Sequence, residues 1–139
     1  MNTSPAFAEH CLDLFAGLGP VEARSMFGGH AFFVGRAMIA IGDADEWQVW
    51  LKVDDATKGR FEAAGGVAFT YAAKGRPRVS MSFFTVPGDA MEDAEAMLPW
   101  ARLALEAAER AAAKRRPGTG PRRPQRKAGP AGKARRRSR

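Results

Sequence analysis

The sequence predicts an α+β domain, an antiparallel β-sheet meander with flanking helices, followed by a disordered basic C-terminal segment. Three observations carry this. Apolar residues recur at helical spacing at both ends of residues 1–113. Between them lie short apolar runs of period two, separated by Gly and Asp. Beyond Arg116 the chain holds no aromatic and no β-branched apolar residue, so it cannot bury enough apolar area to offset its ordering entropy.

Ser4-Pro5 reads as an N-cap followed by proline at the first helical position, where a missing N–H costs nothing. Phe7, Cys11, Leu14, Phe15 and Leu18 then form one stripe, and Gly17 to Pro20 end the helix. Candidate strands follow at Glu22 to Phe27, His30 to Val34, Ala37 to Ile41 and Trp47 to Val53. Their hinges are Gly28-Gly29, a two-residue Gly35-Arg36 turn, and Gly42 to Glu46. In the fourth strand Val49, Leu51 and Val53 share one face, and Gln48, Trp50 and Lys52 the other.

Asp54 is placed to cap a short helix through Ala64, with Phe61 as anchor and Gly65-Gly66 as stop. Two more strands are expected at Val67 to Tyr71 and, after a Lys74-Gly75-Arg76-Pro77 turn, from Val79 towards Pro87. From about Asp89 the period returns to 3.6, with a stripe of Met97, Ala101, Ala104, Leu105, Ala108 and Ala112 flanked by Trp100. Pro99 should kink or divide that helix, because its ring removes a backbone bond.

Length limits what this chain can be. With 139 residues it holds one folded domain, here residues 1–113, with 114–139 as an appendage. About 113 residues bury some 60 to 68% of the unfolded chain's surface, enough for a core without staples. A single cysteine, Cys11, allows neither an intramolecular disulfide nor a cysteine-based zinc cluster. No apolar run approaches the roughly 18 residues of a membrane span, and no signal-type leader is visible, so a cytoplasmic location is expected.

The residues that usually carry chemistry are sparse. Cys11 beside His10 suggests a nucleophile and base, but neighbours on a helix point about 100° apart, and Cys11 sits in the apolar stripe. His10 and His30 have no metal-ligand spacing, and Gly28-Gly29 and Gly65-Gly66 lack the context of a phosphate loop. The acidic pairs Asp43/Asp45 and Asp54/Asp55, and the run Glu92, Asp93 and Glu95, fit turns, caps and a helix first turn. No enzymatic activity, metal or cofactor is therefore indicated. Arg24, Lys52, Arg76 and Arg78 are the candidates for a basic rim on the sheet. An alternative function is thus a ligand-binding or enzymatic site on the side of Arg24, Lys52, Arg78 and Tyr71.

Charge is the most informative feature. Residues 1–113 hold ten Lys and Arg against fifteen Asp and Glu, a net of −5, whereas residues 114–139 hold twelve basic residues and no acidic one. Those twelve are Lys114, Arg115, Arg116, Arg122, Arg123, Arg126, Lys127, Lys133, Arg135, Arg136, Arg137 and Arg139. Such a segment attracts phosphate backbones through counterion release. With no aromatic residue to stack on bases, it predicts salt-sensitive, sequence-neutral binding to nucleic acid.

At Arg24-Ser25-Met26-Phe27-Gly28-Gly29 the sequence resembles the N-terminal domain of the TfoX/Sxy competence-regulator family. The resemblance continues through Trp50-Leu51-Lys52-Val53-Asp54, Phe69-Thr70-Tyr71, Met81-Ser82-Phe83-Phe84-Thr85-Val86-Pro87 and Leu98-Pro99-Trp100-Ala101-Arg102, over nearly all of residues 5–113. It implies a small α+β domain without known enzymatic activity, found in bacterial regulators of DNA-uptake competence that act on transcription with a cyclic-AMP-responsive activator. Full-length members carry a second domain, where this chain has its basic segment. The resemblance implies structural roles for the shared residues: a turn at Gly28 and Gly29, packing at Trp100, and a strand-to-helix junction at Lys52 and Asp54. The reading that results is a non-enzymatic regulatory or adaptor domain with a nucleic-acid tether. Its partners would be an unknown protein, such as the transcription machinery, and a second copy paired through an edge strand.

Overall fold

Ser4 begins the first helix as expected: its hydroxyl accepts from the Phe7 N–H at 3.3 Å, and Pro5 occupies N1 of α1 (Pro5–Leu14). The structure, a computed structural model, describes residues 3–26 and 28–114. The chain divides into two units, 1–109 and 110–139, and of the second only residues 110–114 are described.

Six strands follow in one sheet: β1 (Glu22–Met26), β2 (Gly29–Val34), β3 (Ala37–Asp43), β4 (Gln48–Lys52), β5 (Ala68–Ala73) and β6 (Arg76–Thr85). Their order is β1-β2-β3-β4-β6-β5, and every pairing is antiparallel. The first four form the expected meander. β6 then pairs with β4, Leu51 opposite Phe84, and leaves β5 on the outer edge.

Several boundaries differ from the sequence reading, each for a local reason. Phe27 lies outside the described residues, and Gly29 opens β2 instead of forming the turn. Gly42 is inside β3, where a Cβ would stand 2.8 Å from the Phe7 ring; it is a close-approach glycine under α1, not a hinge. Trp47 adopts φ +53 and so falls outside β4. The β5–β6 turn is the two residues Lys74-Gly75, both at positive φ, and β6 starts at Arg76. Pro77 fits there because Ala73 and Arg76 close the hairpin as a hydrogen-bonded pair, so the next position, Pro77, would aim its N–H away from β5.

α2 (Lys58–Ala63) starts later than expected. Asp54 organises the preceding turn, its Oδ1 accepting from the Ala56 N–H, while Thr57 at the N-cap turns its hydroxyl back to accept from the Asp54 N–H at 3.1 Å and caps no N–H of α2. The predicted stop is a Schellman motif: Gly65 at φ +88 donates to the Glu62 carbonyl, and Gly66 to the Phe61 carbonyl at 2.7 Å. α3 (Ala94–Lys114) begins at an Asp93 cap, since residues 88–91 form a separate 3-10 turn. Pro99 does not divide it: the residue is exposed, so the carbonyl it frees faces water.

α1 lies on the face of the sheet that presents His30, Phe32 and Gly42, with Phe7 and Cys11 fully buried. Val49, Leu51 and Val53 form the buried side of β4, as their alternation predicts. Burying each such side chain contributes about 1.5–3 kcal/mol. The helices close over this core through three contacts. Leu98 packs against Gly17, the Phe61 and Trp100 rings meet at 4.9 Å, and the His10 Nε2–H donates to the Met91 carbonyl at 2.6 Å. Met97, Ala101, Ala104 and Ala108 are buried as expected; Ala107 joins them, while Leu105 is only half-buried.

Candidate functional site

The sheet face opposite α1 is concave. Strand registers place Arg24, Ala31, Ile41, Trp50 and Thr85 side by side across it, one per strand from β1 to β6. The Phe69 ring meets Trp50 edge-on at 5.0 Å, and Tyr71 stacks on Phe69 at 5.9 Å, so the β5–β6 hairpin forms one wall. The concavity encloses about 710 Å³. Met26, Met38, Ile41, Trp50, Phe69, Tyr71, Ala72 and Phe83 supply its apolar lining, and Asp43, Glu46 and Ser80 its polar lining.

Of the residues proposed for a basic rim, none lines this space. Arg24 is ion-paired with Glu22 at 3.1 Å, and its guanidinium lies 4.4 Å above the Phe33 ring. The hydrogen bond and charge of Arg24 hold the Glu22 carboxyl below its ordinary range, and Glu22 raises Arg24 in return. Lys52 lies 5.1 Å over the Phe83 ring. Arg78 pairs with Tyr71 on the outer hairpin, four strand spacings across the sheet from Arg24, or roughly 19 Å, and is further displaced along β6 from the row that holds Arg24 and Thr85. The candidate cations are spread along one face without converging, and only Tyr71 of that group enters the concavity.

The acidic residues serve the backbone. Asp43, Asp54 and Asp93 each accept the N–H two residues further on, at 3.1 to 3.2 Å. Among the described residues no cluster of three or more His, Cys, Asp or Glu is placed to hold a metal ion. Cys11 is buried in the α1 stripe, and desolvation pushes its thiol up to about 12, the reverse of what a thiolate nucleophile requires. His10 faces Met91 and the Trp47 ring instead of Cys11. His30 is buried against Phe7 and Phe32, with Nε2 accepting from the Ser4 N–H at 3.0 Å.

Lys114 closes α3 and is exposed. The other eleven basic residues named for nucleic-acid binding lie outside the described residues. Sequence reasoning placed Trp50 and Tyr71 on this side of the sheet but missed the concavity, because Met26, Met38, Ile41 and Phe83 come together only through strand pairing. Alternation within β3 and β4 was the available signal; the non-sequential partner β6 had none.

Architecture and surface together define a small α+β domain built on one antiparallel sheet, helices over one face and an aromatic hollow in the other. The TfoX N-terminal domain family model matches residues 13–108, and the chain belongs to that family. This membership supports a regulatory or adaptor role at the level of the family. A comparison with curated proteins finds no match. Among the described residues no helix is long and apolar enough to cross a membrane.

Proposed function

We propose that this chain is a non-enzymatic regulatory or adaptor protein, whose folded part contacts a protein partner while its basic segment holds it near nucleic acid. Charge segregation carries the reading: −5 over residues 1–113 against +12 over residues 114–139. Tethering raises the effective concentration of the second contact, so the segment needs no sequence specificity of its own. Family resemblance directs the search for that partner to the transcription machinery, and a single cysteine suits the reducing cytoplasm.

Fluorescence anisotropy of labelled duplex DNA and single-stranded RNA tests this, with the full chain and a chain ending at Ala113. The full chain alone should bind, with log K falling by about 0.9 per phosphate contact as log salt rises on duplex DNA. A salt slope near zero, or sequence-selective binding by the shorter chain, overturns the division of labour.

One observation favours a second reading, a ligand-binding domain: the concavity of about 710 Å³ lies within the range of small-molecule sites. Its lining calls for an apolar, aromatic ligand instead of the anion that a basic rim would take. A thermal-shift screen with such compounds should raise Tm for the intact chain and not for Trp50→Ala; no response from any compound sets this reading aside.

A further inference from the structure

The sheet's two edges differ in their protection. β1 carries Glu22 and Arg24, an exposed ion pair of the kind that discourages another strand from adding. β5, at the other edge, reads Ala68-Phe69-Thr70-Tyr71-Ala72-Ala73, with no charge, no proline and no glycine.

Hairpin phase decides which backbone groups that edge offers. Ala73 and Arg76 form the hydrogen-bonded pair beside the two-residue turn, so Ala73, Tyr71 and Phe69 aim their N–H and C=O at β6. Thr70 and Ala72 aim theirs outward, where no strand lies among the described residues. Apolar side chains also stand uncovered on both sides of the hairpin. Tyr71 is 45% exposed on the concave side; Val79, opposite Thr70 on the other side, is 59% exposed, and Met81, two residues along, 51%.

We propose that β5 pairs antiparallel with β5 of a second copy of this chain, about a two-fold axis at Tyr71, joining the two sheets edge to edge. The charge pattern favours a twin as the occupant. In this register Thr70 faces the partner's Ala72 and Tyr71 faces the partner's Tyr71, so every opposed pair within the strand is uncharged. Outward N–H and C=O groups of Thr70 and Ala72 meet reciprocally, as an isologous contact requires. Antiparallel pairing also carries the two basic hairpin ends, each with Lys74 and Arg76, away from one another, whereas parallel pairing would stack them. Because Phe69 to Ala72 wall the concavity, the partner's β5 extends that wall, and the hollow is bounded by both copies. This inference is independent of the nucleic-acid reading.

Sedimentation equilibrium of the full chain, treated with nuclease and run in high salt to remove bridging nucleic acid, tests it. The wild type should show about twice its 15.0 kDa mass. Ala72→Pro removes an outward N–H without touching the β6 ladder, and Tyr71→Lys sets like charges opposite each other across the axis. Both should sediment at 15.0 kDa while keeping the wild-type circular dichroism. Should Ala72→Pro unfold, Tyr71→Lys, at an exposed site, still decides the question. A wild type that stays monomeric at hundreds of micromolar, or a Tyr71→Lys chain that keeps the doubled mass, overturns the proposal.

Discussion

Ser4 donates its backbone N–H to Nε2 of His30 across 26 residues of sequence, at 3.0 Å, so the first turn of α1 is fastened to the start of β2. The same serine caps the helix with its hydroxyl. One residue thereby serves both local helix initiation and the docking of that helix on the sheet.

His30→Phe tests the fastening. Phenylalanine keeps the ring packing against Phe7 and Phe32 but leaves the Ser4 N–H without its acceptor. A loss of about 1–3 kcal/mol in urea unfolding is expected. An unchanged midpoint would show that water replaces the imidazole without cost.

Three glycines separate steric demand from backbone flexibility. In Gly66→Ala the new Cβ would stand 2.8 Å from the Phe61 carbonyl oxygen and 2.9 Å from that of Thr85, both main-chain atoms, so a loss of about 3 kcal/mol or more is expected. Gly42→Ala meets the Phe7 ring at 2.8 Å, which can yield, and should cost less, about 1–2 kcal/mol. Gly59→Ala meets nothing within 4 Å and should gain about 0.5–1 kcal/mol in α2. Denaturant midpoints for the three variants check that ranking.

Cys11 makes stability depend on alkaline pH. Burial raises its thiol from 9.0 to about 12 in the folded chain, so the folded state holds the proton more tightly than the unfolded one. That contribution is complete below about pH 9 and is lost as pH rises from 9 towards 12, at up to about 1.4 kcal/mol per pH unit. Between about pH 8 and pH 10 the wild type should lose about 1 kcal/mol more than Cys11→Ala. Equal losses in the two proteins would contradict this.

Phe69→Ala bears on the hairpin. Its ring supports both Trp50 and Tyr71, and the edge-on Trp50 contact is worth about 0.5–1.5 kcal/mol beyond area burial. Amide hydrogen exchange in β5 should quicken by about 2–10-fold while the amides of Val49 and Leu51 keep their protection. Uniform acceleration would mean that the hairpin and the core open together.

Legibility in the sequence followed the range of the interaction. Ser4-Pro5, the Gly35-Arg36 turn, the Phe61 anchor and the Gly65-Gly66 stop were readable because each is set by neighbours within a few positions. Gly42 was misread as a hinge because its reason, the Phe7 ring, lies 35 residues earlier in the chain. Trp47 alternates correctly with Val49 and Leu51, yet its positive φ belongs to the tight connection after Asp43, which spacing alone does not reveal. The face of Trp50 followed from period two. The hollow it lines did not, since β6 reaches β4 only after α2 and β5 have intervened.

The bond from His10 to the Met91 carbonyl spans 81 residues, which gives the protein a timetable as well as a shape. At about 5–20 residues per second, roughly 4 to 16 s separate the synthesis of these two partners on a ribosome. Throughout that interval α1 has emerged without the segment that covers its His10 side, and the meander can assemble before the N-terminal helix is locked. Until Met91 is made, the His10 side of α1 is the part of the docked helix that still lacks its cover.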